Sequence, residues 1–165
     1  MLRVRSEEPT VGCYYGHHIN TACREFYLQP LPVSEVLDEL SVALENAAQV
    51  LLIAPPWAGK STWLPLKLLA GIPSGGRILL LEPRRLAARN VARRPAETLN
   101  EPVGKTVGYR LRGESRSGPE TRLVVGTLGS LTRMLQQAPG LTGVCPVIMD
   151  EFHARWFQAV IALAS

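Results

Sequence analysis

Residues 49–62 read Gln-Val-Leu-Leu-Ile-Ala-Pro-Pro-Trp-Ala-Gly-Lys-Ser-Thr, a short apolar run that breaks at Pro55 and ends in Gly59-Lys60-Ser61-Thr62. The first half has the length and the β-branched and Leu content of a strand buried on both faces, the kind that parallel sheets use. The stretch behind it, Lys60 to Ala70, reads as a helix ended by Gly71, with Pro65 in the first turns where a missing N–H costs least. A turn between a strand and a helix N-terminus points successive backbone N–H groups at one spot, where the helix dipole also favours negative charge, so it cradles phosphate. Ala54-x-x-x-x-Gly59-Lys60-Ser61 adds the remaining chemistry of an ATP site. Lys60 would reach the β- and γ-phosphates, Ser61 would offer its hydroxyl to Mg²⁺, and Gly59 and Thr62 would be further backbone donors. The cofactors expected are therefore ATP and Mg²⁺.

Trp57 stands in this loop where such loops usually carry glycine. If position 57 needs a positive φ or a close backbone approach to phosphate, a Trp there costs about 1–3 kcal/mol and obstructs the cradle.

Outward from the loop, β-like and α-like stretches alternate. Ser34 is placed to cap a helix that puts Val36, Leu37, Leu40, Leu44 and Ala47 on one apolar face. "RILLLEP" reads as a strand and "RRLAARNVARR" as a helix; "KTVGYRLR" and "TRLVVGT" read as strands, "LGSLTRMLQQ" as a helix, and "CPVIMDEFH" as a strand delivering charge at its carboxyl end. Such alternation implies α/β architecture, a mainly parallel sheet flanked by helices, with ligands at the carboxyl ends of the strands.

Two polar clusters fall at those ends. Asp150-Glu151-Phe152-His153 follows "CPVIM". A nucleotide hydrolase needs one carboxylate at a strand end for the Mg²⁺ shell and a second group to orient the attacking water, and Asp150 and Glu151 fit those parts. Between Arg77 and Arg94 there are six arginines and one acid, Glu82. Arg85, Arg89 and Arg93 recur every four residues, so a helix presents them on one face. A solvated helix face accounts for such a stripe, and so does binding to a phosphate backbone, which makes affinity fall steeply with salt.

Composition bounds the rest. The chain has 165 residues, 46% hydrophobic and 19% charged, with a formal net charge of +4, which fits one globular piece better than a disordered or membrane chain. Its apolar runs are strand-sized, short of the roughly 20 residues of a membrane span, so no membrane partner is expected. Acids in MLRVRSEEPT stand where a signal peptide needs an apolar core, and the chain reads as cytoplasmic. Three widely spaced cysteines argue against a disulfide framework. Residues 1–30 show no useful periodicity and read as an irregular N-terminal appendage. Cys13, His17, His18 and Cys23 cluster there, in a spacing that matches no common closed zinc site.

Taken together, "APPWAGKST", "LEPRRLAARNVA", "VGYRLR", "TLGSLTRML" and "MDEFHAR" resemble, in order, motif I, motif Ia, the strand after it, motif Ib and motif II of the DEAH-box ATP-dependent helicases, most of all the bacterial HrpB type. The resemblance runs from about Leu31 to Ser165. It implies that residues 31–165 are a partial helicase ATP-binding domain, the first RecA-like lobe of a P-loop NTPase, incomplete. It implies that Lys60 and Ser61 hold ATP phosphate and Mg²⁺, that Asp150 holds the metal, that Glu151 acts on water and that His153 couples the nucleotide site to the rest of the helicase. Arg84, Arg85, Thr127 and Arg112 would lie toward the nucleic-acid strand, RNA before DNA.

Departures from the family pattern sit beside the matches. Pro56 and Trp57 replace a Thr and a Gly, Leu128 replaces a Glu in motif Ib, Ala154-Arg155 replaces Glu-Arg after motif II, and Val160 replaces an acid. Pro95 stands where a Leu is usual and is expected to end or kink its helix at about 3 kcal/mol. The chain carries no motif III and no second lobe, and loss of an arginine finger alone lowers rate by about 10³–10⁵. Three readings follow: a helicase coupling ATP hydrolysis to strand unwinding with a second lobe supplied in trans, a non-catalytic nucleotide- or nucleic-acid-binding fragment, and an inactive truncated product.

Overall fold

The computed structural model describes residues 3–7, 32–47, 49–137 and 143–151. The chain divides into two compact units, Met1–Gly76 and Arg77–Ser165.

In the first unit, strand β1 (Arg3–Glu7) pairs antiparallel with β2 (Gln49–Ile53), Arg3 opposite Ile53 and Glu7 opposite Gln49. This corrects two expectations. Part of the segment expected to be irregular is a strand, while the rest of it, with the cysteine and histidine cluster, lies outside the described residues. And β2 is not covered on both faces, since Leu51 and Ile53 are 46% and 47% exposed. The backbone N–H and C=O groups of β2 need a ladder, and β1 supplies it in the antiparallel sense.

A 3₁₀ turn (Pro32–Val36) leads into α1 (Leu37–Asn46). Ser34 therefore lies inside the turn and is not the cap, and Val36 at the cap position makes no side-chain capping bond. Val33, Val36 and Leu40 are the buried residues of this pair. Helix α2 (Trp63–Gly71) follows the loop and buries Trp63, Leu64, Pro65, Leu68 and Leu69.

The second unit is a five-stranded sheet built from β3 (Arg77–Leu81), β4 (Val107–Leu111), β5 (Glu114–Arg116), β6 (Leu123–Gly126) and β7 (Val144–Met149), in the order β5-β4-β6-β3-β7. Pairings among β4, β6, β3 and β7 are parallel, and β5 folds back antiparallel on β4. Helix α3 (Arg85–Thr98) connects β3 to β4, and α4 (Leu128–Gln137) connects β6 to β7. These two crossovers run in opposite directions across the sheet. Right-handed connections then put the two helices on opposite faces.

Under α4, Leu79, Leu81, Val124 and Leu131 form a buried cluster that Leu128, Met134, Val147 and Met149 pack against. Leu128 thus has a packing role in place of the missing carboxylate. The other face buries Ile78, Leu80, Leu123 and Val125, and α3, which packs over β4 and β6, buries the small stripe Ala88, Ala92 and Ala96.

Pro95 does not end its helix. Helix α3 continues to Thr98, the Pro95 carbonyl accepts a bond from Leu99 N at 3.0 Å, and the ring is buried. Burial of that face holds the helix together beyond the donor that proline lacks.

Candidate active site

The phosphate-type loop has the backbone that its sequence position demands. Trp57 has φ 65° and Gly59 φ 90°. The conditional cost attached to Trp57 therefore applies, because a bulky residue occupies the left-handed region that glycine takes freely. Its indole is 85% exposed, so packing does little to offset the strain.

Next to it Ala58 is buried, and its carbonyl accepts Val33 N at 3.1 Å, which ties the loop to the 3₁₀ turn. The Gly59 carbonyl collects the N–H groups of Trp63 and Leu64 at 2.9 and 3.0 Å. Helix α2 consequently begins at Trp63, three residues later than its sequence suggests. The Lys60 ammonium donates to the carbonyls of Ala54 at 2.7 Å and Pro55 at 2.9 Å, within its own loop.

The carboxyl edge of the five-stranded sheet carries the second group. Register sets Arg110 opposite Gly126, Gly126 opposite Leu81 and Leu81 opposite Met149. One residue further along, Thr127, Glu82 and Asp150 follow in neighbouring strands, with Arg112 just beyond β4. Asp150 N donates to the Leu81 carbonyl at 3.0 Å, and Glu82 N to the Gly126 carbonyl at 2.9 Å. The Asp150 carboxylate accepts the Glu151 N–H at 2.9 Å, and Glu151, at φ 49°, turns the chain sharply behind the strand.

Sequence reading missed Glu82. It is 3% exposed, and its carboxyl is hydrogen-bonded to that of Asp150. Burial first, then that bond and the Asp150 and Glu151 charges, push its pKa up to about 8. The available signal was its isolation as the one acid in an arginine run, directly after a fully apolar strand.

Thr127 precedes α4 and exchanges bonds with Ser130: its N–H donates to the Ser130 hydroxyl at 2.7 Å, and Ser130 N donates back to its carbonyl at 2.9 Å. This pairs the Ser130 N–H, one of those that the first turn of a helix leaves without a helical partner.

Of the arginines, Arg84 is exposed at the cap of α3, where its carbonyl accepts Ala88 N at 3.0 Å. The Arg85 guanidinium donates to the Arg112 carbonyl at 2.7 Å. Arg89 pairs with Glu114, and Arg93 pairs with Glu97 at 2.6 Å. The stripe expected on one helix face is real, but much of it is engaged within the protein.

Asp150, Glu151, Thr127, Arg84, Arg85 and Arg112 are thus gathered at one sheet edge, while Gly59, Lys60, Ser61 and Thr62 form the loop of the other unit. His153 lies outside the described residues. Ser61 on the loop and Asp150 at the sheet edge each offer oxygen, the donor that a hard divalent cation takes. The positive φ values at 57 and 59 keep the curl that a phosphate cradle needs.

Residues 35–158 match the DEAD/DEAH box helicase model. The chain belongs to the DEAD/DEAH box helicase family. It is 62% identical over 137 residues to the Escherichia coli ATP-dependent RNA helicase HrpB, an alignment covering 83% of this chain and 17% of that protein. It is 37% identical to the Gallus gallus ATP-dependent RNA helicase DHX30, over 76% of this chain and 11% of that one. The crystal structure of the E. coli DEAH/RHA helicase HrpB superposes with a TM-score of 0.74 at 64% identity, covering 81% of this chain and 17% of that one. The mainly parallel sheet flanked by helices is the RecA-like architecture of this family, as the motif order implied. The chain spans about a sixth of the HrpB sequence it matches.

Proposed function

We propose that this chain is the ATP-binding part of an ATP-dependent RNA helicase, acting in the cytoplasm, and that nucleotide binding on the Lys60 loop governs how the carboxyl edge of the sheet holds an RNA strand. The observation that carries the reading is the register that sets Asp150, Thr127 and the start of α3 at one edge of a parallel sheet, the place where such sheets bind ligands. RNA is preferred over DNA because the relatives at 62% and 37% identity are named RNA helicases.

In this reading Lys60 leaves the Ala54 and Pro55 carbonyls to meet the β- and γ-phosphates, with the amides of Gly59 to Thr62 around them. Ser61 and Asp150 would each give Mg²⁺ an oxygen, and the metal would supply neutralisation of phosphate charge. Glu151 orients the attacking water, and His153 links this site to the remainder of the helicase. Turnover and unwinding require a second lobe to supply cationic groups.

A second reading, binding without turnover, is favoured by one observation: Trp57 occupies the left-handed region in the cradle itself. Titration with a fluorescent ATP analogue, with and without Mg²⁺, tests both. Binding that Lys60→Ala removes, and whose Mg²⁺ dependence Asp150→Asn removes, supports the nucleotide site. No binding at millimolar nucleotide overturns it. Hydrolysis on addition of the second lobe of a homologous helicase separates the enzyme from the binding fragment.

A further inference from the structure

The hairpin of β4 and β5 lies on the arginine face of α3 through two contacts. Arg85 holds the Arg112 carbonyl, and Arg89 holds the carboxylate of Glu114. The other oxygen of that carboxylate accepts the hydroxyl of Tyr109. Both members of the ion pair are reachable from solvent, with side chains 47% and 33% exposed. An exposed pair of this kind is weak and exchanges readily. A carboxylate and a phosphodiester present the same acceptor geometry to a guanidinium. The Tyr109 hydroxyl, followed by the charges of Arg89 and Arg116, holds the Glu114 carboxyl below its ordinary range, so Glu114 is an anion at neutral pH.

We infer that Glu114 is an internal competitor for RNA, an anion of the protein that occupies Arg89 until a backbone phosphate replaces it. The inference rests on the nucleic-acid reading of this sheet edge. Tyr109 makes the exchange feasible, because its hydroxyl stays on Glu114 as Arg89 leaves, and the carboxylate is not stranded. Arg85 makes it local, because its bond to the Arg112 carbonyl keeps the hairpin in place. The pair thus sets a threshold: an RNA strand gains Arg89 only by displacing Glu114, which weakens non-specific binding while leaving Arg84 open.

The test is a double-mutant cycle in the full chain, read by anisotropy of a labelled single-stranded oligouridylate across a salt series. Glu114→Gln keeps the side-chain volume and a hydrogen-bonding group for Tyr109 but removes the charge. It is expected to tighten binding on the order of fivefold, the scale of an exposed ion pair. The dependence of log K on log salt is expected to keep its slope, because the same phosphate sits on Arg89 in both complexes. In an Arg89→Ala background the same substitution should bring no gain.

A gain that persists without Arg89 is general relief of repulsion and overturns the inference, as does unchanged affinity in Glu114→Gln. If Glu114→Gln disturbs the hairpin, Glu114→Ala serves the same cycle. RNA binding by the parent chain that Arg84→Ala weakens, with no response to Glu114→Gln, overturns the competitor alone. No RNA binding by either chain overturns the sheet-edge reading and the competitor together.

Discussion

Glu82 and Asp150 follow adjacent parallel strands, β3 and β7, and their carboxyl groups are hydrogen-bonded to one another at the carboxyl edge of the sheet. Burial first, then that bond and the neighbouring charges, raise the Glu82 pKa to about 8 against an ordinary 4.5. The folded chain therefore holds a proton that the unfolded chain has released between those values. Stability from this pair is full below about pH 4.5 and is lost as pH rises through about 8. Urea unfolding at pH 5, 7 and 9 should show that decline, after subtraction of a Glu82→Gln chain in which this component of the slope is absent. Equal slopes in the two chains would refute the raised Glu82 pKa.

Trp57→Gly should stabilise the first unit and tighten nucleotide. The residue sits at φ 65° with its ring in solvent, so glycine removes strain and loses little packing. The expected gain is about 1 kcal/mol in unfolding free energy, with tighter binding of the ATP analogue. Trp57→Ala, which clears the bulk but keeps a Cβ at positive φ, should recover the access and not the strain. If glycine and alanine behave alike, strain is not what the tryptophan contributes.

Pro95 is buried inside α3, which continues past it to Thr98. Pro95→Ala restores the helix donor toward the Val91 carbonyl at the cost of a small void. Relief of the helix-interior penalty, about 3 kcal/mol at most, should exceed the void and raise stability by about 1–2 kcal/mol. Thermal and denaturant unfolding read this directly, and a loss of stability would show that ring packing outweighs the missing hydrogen bond.

Arg84 is exposed at the start of α3, while Arg85 and Arg89 are tied to the β4–β5 hairpin. Arg84→Ala should weaken single-stranded RNA binding on the order of tenfold or less and flatten the salt slope by about 0.7. Arg93→Ala, which breaks only the surface pair with Glu97, should change folding stability by no more than about 0.5 kcal/mol. A larger loss of RNA affinity from Arg93→Ala than from Arg84→Ala would move the strand path along the helix.

The sequence by itself determined the parts whose causes are local. Apolar runs of strand length, the arginine stripe and the Gly-Lys-Ser turn depend on residues close in the chain, so the β/α alternation, the family and the positions of Lys60 and Asp150 were all legible in it. The demand at Trp57 was legible only as a condition, which the φ of 65° in the structure meets.

Tertiary structure decided what depends on pairing between distant segments. Nothing in the periodicity of Gln49–Ile53 says that Arg3–Glu7 will supply its ladder, because backbone hydrogen bonds carry no side-chain signature. The proton held by Glu82 comes first from its burial at the end of β3 and then from the register that sets it beside Asp150, and neither is written in the local sequence. The repeat of Arg85, Arg89 and Arg93 says that they share a helix face, but not which of the arginines around α3 are engaged within the protein. Packing of the β4–β5 hairpin decided it, tying Arg85 to the Arg112 carbonyl and Arg89 to Glu114, while Arg84 at the cap is exposed.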